Sequence, residues 1–366
     1  MFEAESFGCA NAENDGGKRM DYKQAAKEWS QGTIRPLYVL HGTELHIMGE
    51  WLELLAKTAI DPDTRDFALS RYDLTETPLE TAIEDAETLP FLSPRKLVIA
   101  SGAYFLTGGR DPSKADHDVE ALIRYAKAPA DHAVLVLTVP AEKLDDRKKV
   151  VKTLKQSAVV LPFAPLGPAE LQQWVAKKAT GRGVSIDADA VEALLERVGG
   201  SCATLASEIE KLSLYVGQGG AIRREHVESL AVRTSEQNVF LLVEEIAKLR
   251  PERAMTIFHD LLKEKEEPIK LLVLIARQFR MMLGTKELAR QGFSQAQIAS
   301  QLGAHPFAIK IAGEQAKRFK TETLERILGE LADLDYAMKT GTIDKTLGLE
   351  LFILRLGAAA SAAASR

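Results

Sequence analysis

Short runs of apolar residues alternate with amphipathic segments through the first 165 positions of the chain. The apolar runs predict strands over residues 37–41, 67–73, 96–100, 133–139 and 158–163. The segments between them have helical periodicity and predict helices over residues 48–59, 78–87, 118–127 and 145–155. Continuous apolar strands separated by helices are typical of a parallel sheet that is covered by helices on both faces.

Beyond a Pro- and Gly-containing hinge at residues 165–168, the strand pattern stops and only helical periodicity continues. The pattern predicts helices over 168–180, 187–198, 201–216, 223–231, 238–248, 250–264, 268–291, 294–302, 305–318, 321–340 and 345–356. We therefore expect an α/β domain followed by all-α domains.

The same pattern predicts where these domains begin and end. The α/β domain should span residues 20–165, a small helical domain 166–232 and a larger helical domain 233–357. Residues 1–19 are polar and are expected to form a disordered extension, and the Ala-rich residues 358–366 a flexible tail.

Composition excludes several classes of protein. With 366 residues, of which 46% are hydrophobic, the chain can bury sizeable cores. Two distant cysteines, Cys9 and Cys202, argue against a disulfide scaffold or a zinc site and indicate a reducing compartment. No apolar run approaches the roughly 20 residues that cross a bilayer, and the first residues lack a secretory signal. The sequence thus predicts a cytoplasmic protein that does not enter the membrane.

Charge is distributed unevenly along the chain. The net charge is −5, but residues 1–230 carry −8 and residues 231–366 carry +3. A uniformly basic coat for nucleic acid is therefore excluded. Any direct contact with nucleic acid is expected in the C-terminal helical part, although a solvated helix surface explains the same charges.

An α/β domain followed by a small helical domain suggests a nucleotide-binding ATPase of the AAA+ kind, whose phosphate loop would follow the first strand. That loop needs glycines and a Gly-Lys-Ser/Thr ending after the first strand, but residues 41–46 read HGTELH. The strands at 96–102 and 134–140 end without the acidic pair that would hold magnesium. The Ser-Arg-Cys type sequence that would supply an arginine finger is also missing, because Ser201 is followed directly by Cys202. We therefore expect no ATP hydrolysis, no catalytic residues, no cofactor and no metal in this chain.

Five stretches in a fixed order carry a family resemblance. They are LYVLHGTEL at 37–45, ETLPFLSPRKLV at 87–98, LASEIEKLSLY at 205–215, HPFAIK at 305–310 and LDYAMKTGTID at 334–344. With these stretches, the chain from Met20 to about Gly357 resembles the delta subunit of the bacterial DNA polymerase III clamp loader.

The resemblance implies an AAA+-like parallel-sheet domain without nucleotide binding, a helical lid domain and a C-terminal helical collar domain. The collar is expected to pack into a ring with the gamma/tau motor subunits and the delta-prime subunit. The resemblance further implies that this subunit binds and opens the beta sliding clamp for loading onto primed DNA. Neighbouring subunits would hydrolyse ATP, and any nucleotidyltransferase activity would belong to the polymerase holoenzyme.

The stretch that matches the family's clamp-binding element is Leu89, Pro90, Phe91 and Leu92. A proline stiffens the chain and keeps the residue before it out of helical geometry. Leu89, Phe91 and Leu92 could then project as an apolar wedge, with Pro90 as scaffold. From the residues alone, this stretch reads as a loop anchored to the core; the resemblance favours the wedge instead.

The candidate DNA-contacting residues are Phe307 and Lys310, near the start of a helix that carries further basic residues. Stacking on Phe307 and phosphate neutralisation by Lys310 would suit primed DNA. Phe307 as a core residue of the collar is the alternative. Two other functions stay open for the whole chain: a divergent AAA+ ATPase or helicase-type subunit, and an unrelated helical adaptor protein.

Overall fold

The computed structural model describes residues 22–30, 32–91, 93–248 and 250–364. Leu92 and the predicted extension at residues 1–19 lie outside these described residues. The chain forms two compact units, one up to Pro165 and one from Leu166 onward.

A five-stranded parallel sheet forms the centre of the first unit. Its strands are β1 (Leu37–Gly42), β2 (Leu69–Asp73), β3 (Lys96–Ser101), β4 (Ala133–Val139) and β5 (Val159–Phe163). The spatial order is β2-β3-β4-β1-β5, and all neighbours run parallel. Strand β4 is buried along its whole length, as its unbroken apolar sequence requires. The predicted parallel sheet is therefore confirmed.

Helices connect and cover these strands. They are α1 (Tyr22–Ser30), α2 (Leu45–Ala59), α3 (Arg65–Ala68), α4 (Leu79–Glu87), α5 (Val119–Lys127) and α6 (Lys149–Ser157). Helix α1 was missed by the sequence interpretation because it is short and mostly polar. Its Trp29 is nevertheless buried: the ring lies 4.5 Å from that of Trp51, and its Nε1–H donates to Tyr38 Oη at 3.0 Å.

Three predicted boundaries in this unit were wrong. The helix expected from residue 48 already begins at Leu45, directly after the two-residue connection from β1. The strand expected from residue 67 begins at Leu69, because the one-turn helix α3 occupies the preceding residues. The helix expected from residue 145 begins at Lys149, because Asp145 closes a turn. Its Oδ1 accepts from the Arg147 N–H, and its carbonyl accepts from the Lys148 N–H.

The second unit is almost entirely helical. Its helices are α7 (Pro168–Gly181), α8 (Ala188–Val198), α9 (Cys202–Val216), α10 (Arg224–Leu230), α11 (Ser235–Ala247), α12 (Pro251–Lys263), α13 (Pro268–Arg290), α14 (Gln295–Leu302), α15 (Pro306–Ala316), α16 (Thr321–Lys339) and α17 (Lys345–Ala364). The expectation of no strands after residue 168 was wrong. Strands β6 (Ser185–Ile186) and β7 (Ala221–Ile222) pair in parallel, and two residues each are too few to produce a strand pattern.

The long helix α13 is central to the C-terminal part of this unit. It packs against α11, α14, α15, α16 and α17, and Phe279 is fully buried among their apolar side chains. A buried polar network adds specific contacts: Gln278 Nε2 donates to Gln315 Oε1, and Gln315 Nε2 donates to the Phe240 carbonyl at 2.9 Å. The division of this unit at residues 232/233 into two domains stays a prediction.

The last helix differs from its prediction. Helix α17 continues to Ala364, so most of the expected flexible tail at 358–366 is helical. Alanine has the highest intrinsic helix propensity, which explains why the Ala-rich segment extends the helix. Among the described residues, no helix is long and apolar enough to cross a membrane.

Candidate functional site

The candidate site lies at the amino ends of β2 and β3. These strands are parallel neighbours, and their register pairs Leu69 with Leu97. The segments that lead into them must therefore lie side by side. These segments are α3, before β2, and residues 88–95, before β3.

The end of α4 sets the course of residues 88–95. At Thr88 the backbone turns from helical to extended, with φ −71° and ψ 131°. The Thr88 N–H and Oγ1 both donate to the Glu84 carbonyl, at 3.0 and 2.8 Å, which satisfies an acceptor in the last turn. The chain is thus firmly held where it leaves the helix, and Pro90 follows two residues later.

Leu89 and Phe91 point into solvent. Their exposed fractions are 75% and 68%, whereas Pro90 between them is half-buried. The side chains of Leu89 and Phe91 therefore do not anchor this loop to the core. Large apolar side chains exposed next to each other on a held backbone are typical of a binding surface. Leu92, the fourth predicted residue of this stretch, is outside the described part of the chain.

An aromatic residue that the sequence interpretation did not assign to the site lies beside it. Phe67, on α3, has an exposed fraction of 60%, and its ring centroid lies 6.5 Å from that of Phe91 in an edge-to-face arrangement. The sequence pattern had placed Phe67 inside strand β2. Only the parallel register of β2 and β3 reveals that the two rings are neighbours.

An ion pair between buried Lys96 and half-buried Asp85 joins the two elements that flank the exposed segment. Lys96, the first residue of β3, is 6% exposed, and its Nζ donates to Asp85 Oδ1 at 2.6 Å and to the Asp85 carbonyl at 3.0 Å. Burial alone would raise the pKa of Asp85, but the hydrogen bond from Lys96 and smaller contributions from Ser70 and Tyr72 lower it overall. The ammonium group also lies at the carboxyl end of α4, where the helix dipole favours a cation. Lys96 therefore fixes the end of α4 against β3.

The connection between β1 and α2, where a phosphate loop would lie, does not have the structure of such a loop. Only Thr43 and Glu44 separate the two elements. The Glu44 N–H donates to the Phe163 carbonyl at 3.1 Å, and its side chain is buried at the helix start. Gly42 has a φ of +146°, and a Cβ there would lie 1.9 Å from the Phe163 carbonyl oxygen. The glycine is thus required by the close approach of β5.

The candidate DNA contacts lie on the first turns of α15. His305 caps this helix: its Nδ1 accepts from the Phe307 N–H at 3.1 Å. Burial lowers the pKa of His305 to about 4, so the neutral imidazole needed for this bond is stable at neutral pH. Phe307 is half-buried and Lys310 is exposed. Their spacing of three residues places both on one helix face.

The described ranges contain no candidate metal site. Among these residues there is no group of three or more His, Cys, Asp or Glu side chains that could hold an ion. Cys202 is a free thiol, buried at the start of α9.

Comparison with known protein families gives two matches that together cover much of the chain. Residues 38–164 match the family described as DNA polymerase III, delta subunit, and residues 236–356 match the DNA polymerase III delta subunit, C-terminal domain.

Curated relatives and a solved structure agree with these matches. The chain is 42% identical over 330 residues to DNA polymerase III subunit delta of Bacillus subtilis (strain 168), which covers 90% of this chain and 95% of the relative. It is 21% identical over 257 residues to the probable DNA polymerase III subunit delta of Aquifex aeolicus (strain VF5), covering 70% and 72% of the two chains. The structure of the Bacillus subtilis DNA clamp loader delta protein (YqeN) superposes with a TM-score of 0.73 at 42% identity, covering 92% of this chain and 99% of that one.

Proposed function

This chain belongs to the family of DNA polymerase III delta subunits, and from that premise we propose that it binds and opens the beta sliding clamp within a clamp loader. The opened clamp would then be loaded onto primed DNA during replication. We propose further that the chain neither hydrolyses ATP nor catalyses any reaction itself, and that it acts in the cytoplasm.

The observation that carries the proposal is the exposure of Leu89 and Phe91 at the amino end of the sheet. Burying two such side chains in a partner's pocket is worth roughly 3–5 kcal/mol before the costs of association are subtracted. Because α4 and the Lys96–Asp85 pair hold the backbone, little of this free energy is lost to ordering the loop.

Opening follows from linkage between binding and clamp conformation. A ring that opens rarely on its own is shifted toward the open form by any partner that binds this form more tightly. The partner needs a surface that fits one clamp interface in its open shape, and it needs no chemistry of its own. An apolar surface on a fixed backbone is suited to this role.

The absence of ATP hydrolysis is supported by the connection between β1 and α2. Phosphate loops present several backbone N–H groups to the nucleotide and a lysine to its phosphates. Here the connection has two residues, the Glu44 N–H is already bonded to Phe163, and the buried carboxylate of Glu44 would repel a phosphate. ATP would accordingly be hydrolysed by neighbouring subunits.

The C-terminal helices offer surfaces for those neighbours, which we propose are the gamma/tau motor subunits and the delta-prime subunit. Val273 on α13, Tyr336 on α16, and Leu347 and Leu354 on α17 are exposed. A cleft of about 360 Å³ runs between α13 and α16. Exposed apolar side chains on several helices of one unit are what packing into a collar requires.

The proposal is tested by measuring binding of the isolated chain to a beta clamp, with and without changes at the site. We expect Phe91→Ala to weaken binding by about 10- to 100-fold, because a central aromatic anchor typically contributes 1.4–2.8 kcal/mol or more. Leu89→Ala should have a smaller effect in the same direction. Leu214→Ala, at an exposed leucine of the second unit, is the matched control and should bind normally.

Two results would contradict this proposal. If the unmodified chain does not bind clamp, the function is wrong and an unrelated adaptor becomes the better account. If the chain binds MgATP tightly through residues 42–45, a divergent ATPase becomes the better account.

A further inference from the structure

Phe67 combines three properties that its place in the sequence does not explain. It is an aromatic side chain with most of its surface exposed, it lies on a helix of a single turn, and it contacts the ring of Phe91 from a different chain segment. The core does not need it, because Ala68 next to it supplies the buried side chain of that turn.

The turn that carries Phe67 is fixed independently of the 88–95 segment. Arg65 and Arg71 flank it, and each donates to a different oxygen of the Glu53 carboxylate on α2 at 2.7 Å. The hydrogen bond from Arg65 is the largest cause that lowers the pKa of Glu53, so the carboxylate stays charged at neutral pH. Two arginines bound to one carboxylate connect both ends of the segment between them to α2.

From this geometry we propose that Phe67 is a second direct contact for the sliding clamp. The binding surface would then comprise Phe67, Leu89 and Phe91, contributed by two separately fixed segments. This inference rests on the proposed clamp binding described above. The surface is continuous, because the edge-to-face contact of the two rings leaves their outer faces open to a partner.

The surroundings of this surface support a protein partner. Arg65 and Arg71, which flank Phe67 in the sequence, are both paired with Glu53, so charged groups accompany the apolar side chains on this segment, as they do at the polar rim of many protein–protein interfaces. Contacts from two separately fixed segments restrict the angle between the partners more than contacts from the 88–95 segment alone. A restricted angle suits an opening mechanism, because the surface can then fit the open form of a clamp interface better than the closed form.

Fluorescence of a Phe67→Trp variant tests the contact directly. The three native tryptophans, Trp29, Trp51 and Trp174, are buried and give a constant background. Adding clamp should shift the emission of Trp at position 67 to shorter wavelength, after subtraction of the unmodified chain with the same clamp. Tyr336→Trp, at an exposed position of the second unit, should show no shift. Normal clamp binding without a shift at position 67 would overturn the inference.

Measurements of clamp affinity distinguish a failure of this inference from a failure of the proposed function. We expect Phe67→Ala to weaken clamp binding about 5- to 30-fold, and to weaken it further when combined with Phe91→Ala. Leu45→Ala, at another exposed position of the first unit, is the control. A chain that binds no clamp refutes the proposed function. Clamp binding that depends on Phe91 but not on Phe67 refutes only the role of Phe67. The same conclusion follows if Phe67→Ala weakens binding of the unmodified chain but has no further effect in the Phe91→Ala variant.

Discussion

Gly42 is held by its neighbours in a conformation that no other residue adopts without strain. Its φ is +146°, and the Phe163 carbonyl oxygen occupies the space where a Cβ would be. In the sequence, this glycine is the single residue left of the phosphate-loop pattern. Its physical role is to let β1 and β5 approach each other.

We expect Gly42→Ala to lower the free energy of unfolding of the first unit by about 2–4 kcal/mol, through the clash and the strained backbone. Denaturant titration with Trp29 and Trp51 as buried fluorescent probes measures this. Gly49→Ala is the control: no heavy atom lies within 4 Å of the added Cβ in α2, so it should stabilise by about 0.5–1 kcal/mol. Equal effects of the two changes would contradict the packing role of Gly42.

Lys96 and Asp85 provide a prediction with a defined pH dependence. The pKa of Asp85 is lowered in the folded chain, so its pairing stabilises the fold above its ordinary pKa of 3.8 and is lost as pH falls further. We expect Lys96→Gln to cost about 1–3 kcal/mol at pH 7, because the half-buried carboxylate of Asp85 loses its charged partner. The difference from the unmodified chain should shrink below about pH 4.

Unfolding free energies at pH 7 and pH 3 measure this effect. Lys114→Gln, which removes a fully exposed pair with Glu76, is the control and should leave stability unchanged. A Lys96 effect that is the same at both pH values would show that the ammonium group acts through packing rather than through its charge.

Single residues differ in how well the sequence predicts their roles. The 89–92 stretch stands out in the sequence because its residues are consecutive, but its proposed role comes from the family resemblance and stays a prediction. Phe67 and Lys96 do not stand out, because their roles depend on which segment lies beside them. That neighbour is set by the parallel register of β2 and β3, which no local pattern encodes.

At the scale of elements, the strands and long helices are predicted well because their periodicity extends over several turns or a whole buried strand. The elements that were missed or assigned to a neighbouring element are short: α1, α3 and the β6–β7 pair. In each of these, one or two tertiary contacts decide the conformation. The Trp29–Tyr38 hydrogen bond in α1 and the double arginine contact to Glu53 around α3 are examples.

The predicted contacts with DNA lie on helix α15. If Phe307 and Lys310 contact primed DNA in the assembled loader, Lys310→Ala should weaken binding at low salt and reduce the slope of log K against log[salt] by about 1. Phe307→Ala should weaken binding with little change in this slope, because stacking is not an ionic contact. DNA binding of the reconstituted assembly over a range of salt measures both.

Lys317→Ala is the matched control for this helix, because Lys317 is already paired with Glu314 at 2.7 Å. It should change the slope less than Lys310→Ala does. If all three variants bind DNA as the unmodified assembly does, the face of α15 is not a DNA contact, and half-buried Phe307 serves packing alone.

At the scale of the whole molecule, the first unit uses opposite ends of its parallel sheet differently. The carboxyl end of β1, where a phosphate loop would follow, is closed by Gly42, Glu44 and Phe163. The amino ends of β2 and β3 carry the exposed apolar side chains. The fold of a nucleotide-binding domain is thus retained while its exposed chemistry suits a protein partner.

The overall charge of −5 is consistent with this division of roles. The acidic balance of residues 1–230 and the slightly basic balance of residues 231–366 were visible in the sequence. They argue against a uniformly basic coat, but they could not identify a partner, because apolar contacts rather than net charge define the candidate surface.

The central claim is that this chain opens the clamp by binding alone. Fluorescence energy transfer between dyes placed on both sides of one clamp interface measures opening directly. The central claim predicts that the isolated chain lowers the transfer efficiency without any nucleotide, and that Phe91→Ala raises the concentration needed for this effect by about 10- to 100-fold. Opening that occurs only with ATP, or that Phe91→Ala leaves unchanged, would contradict it.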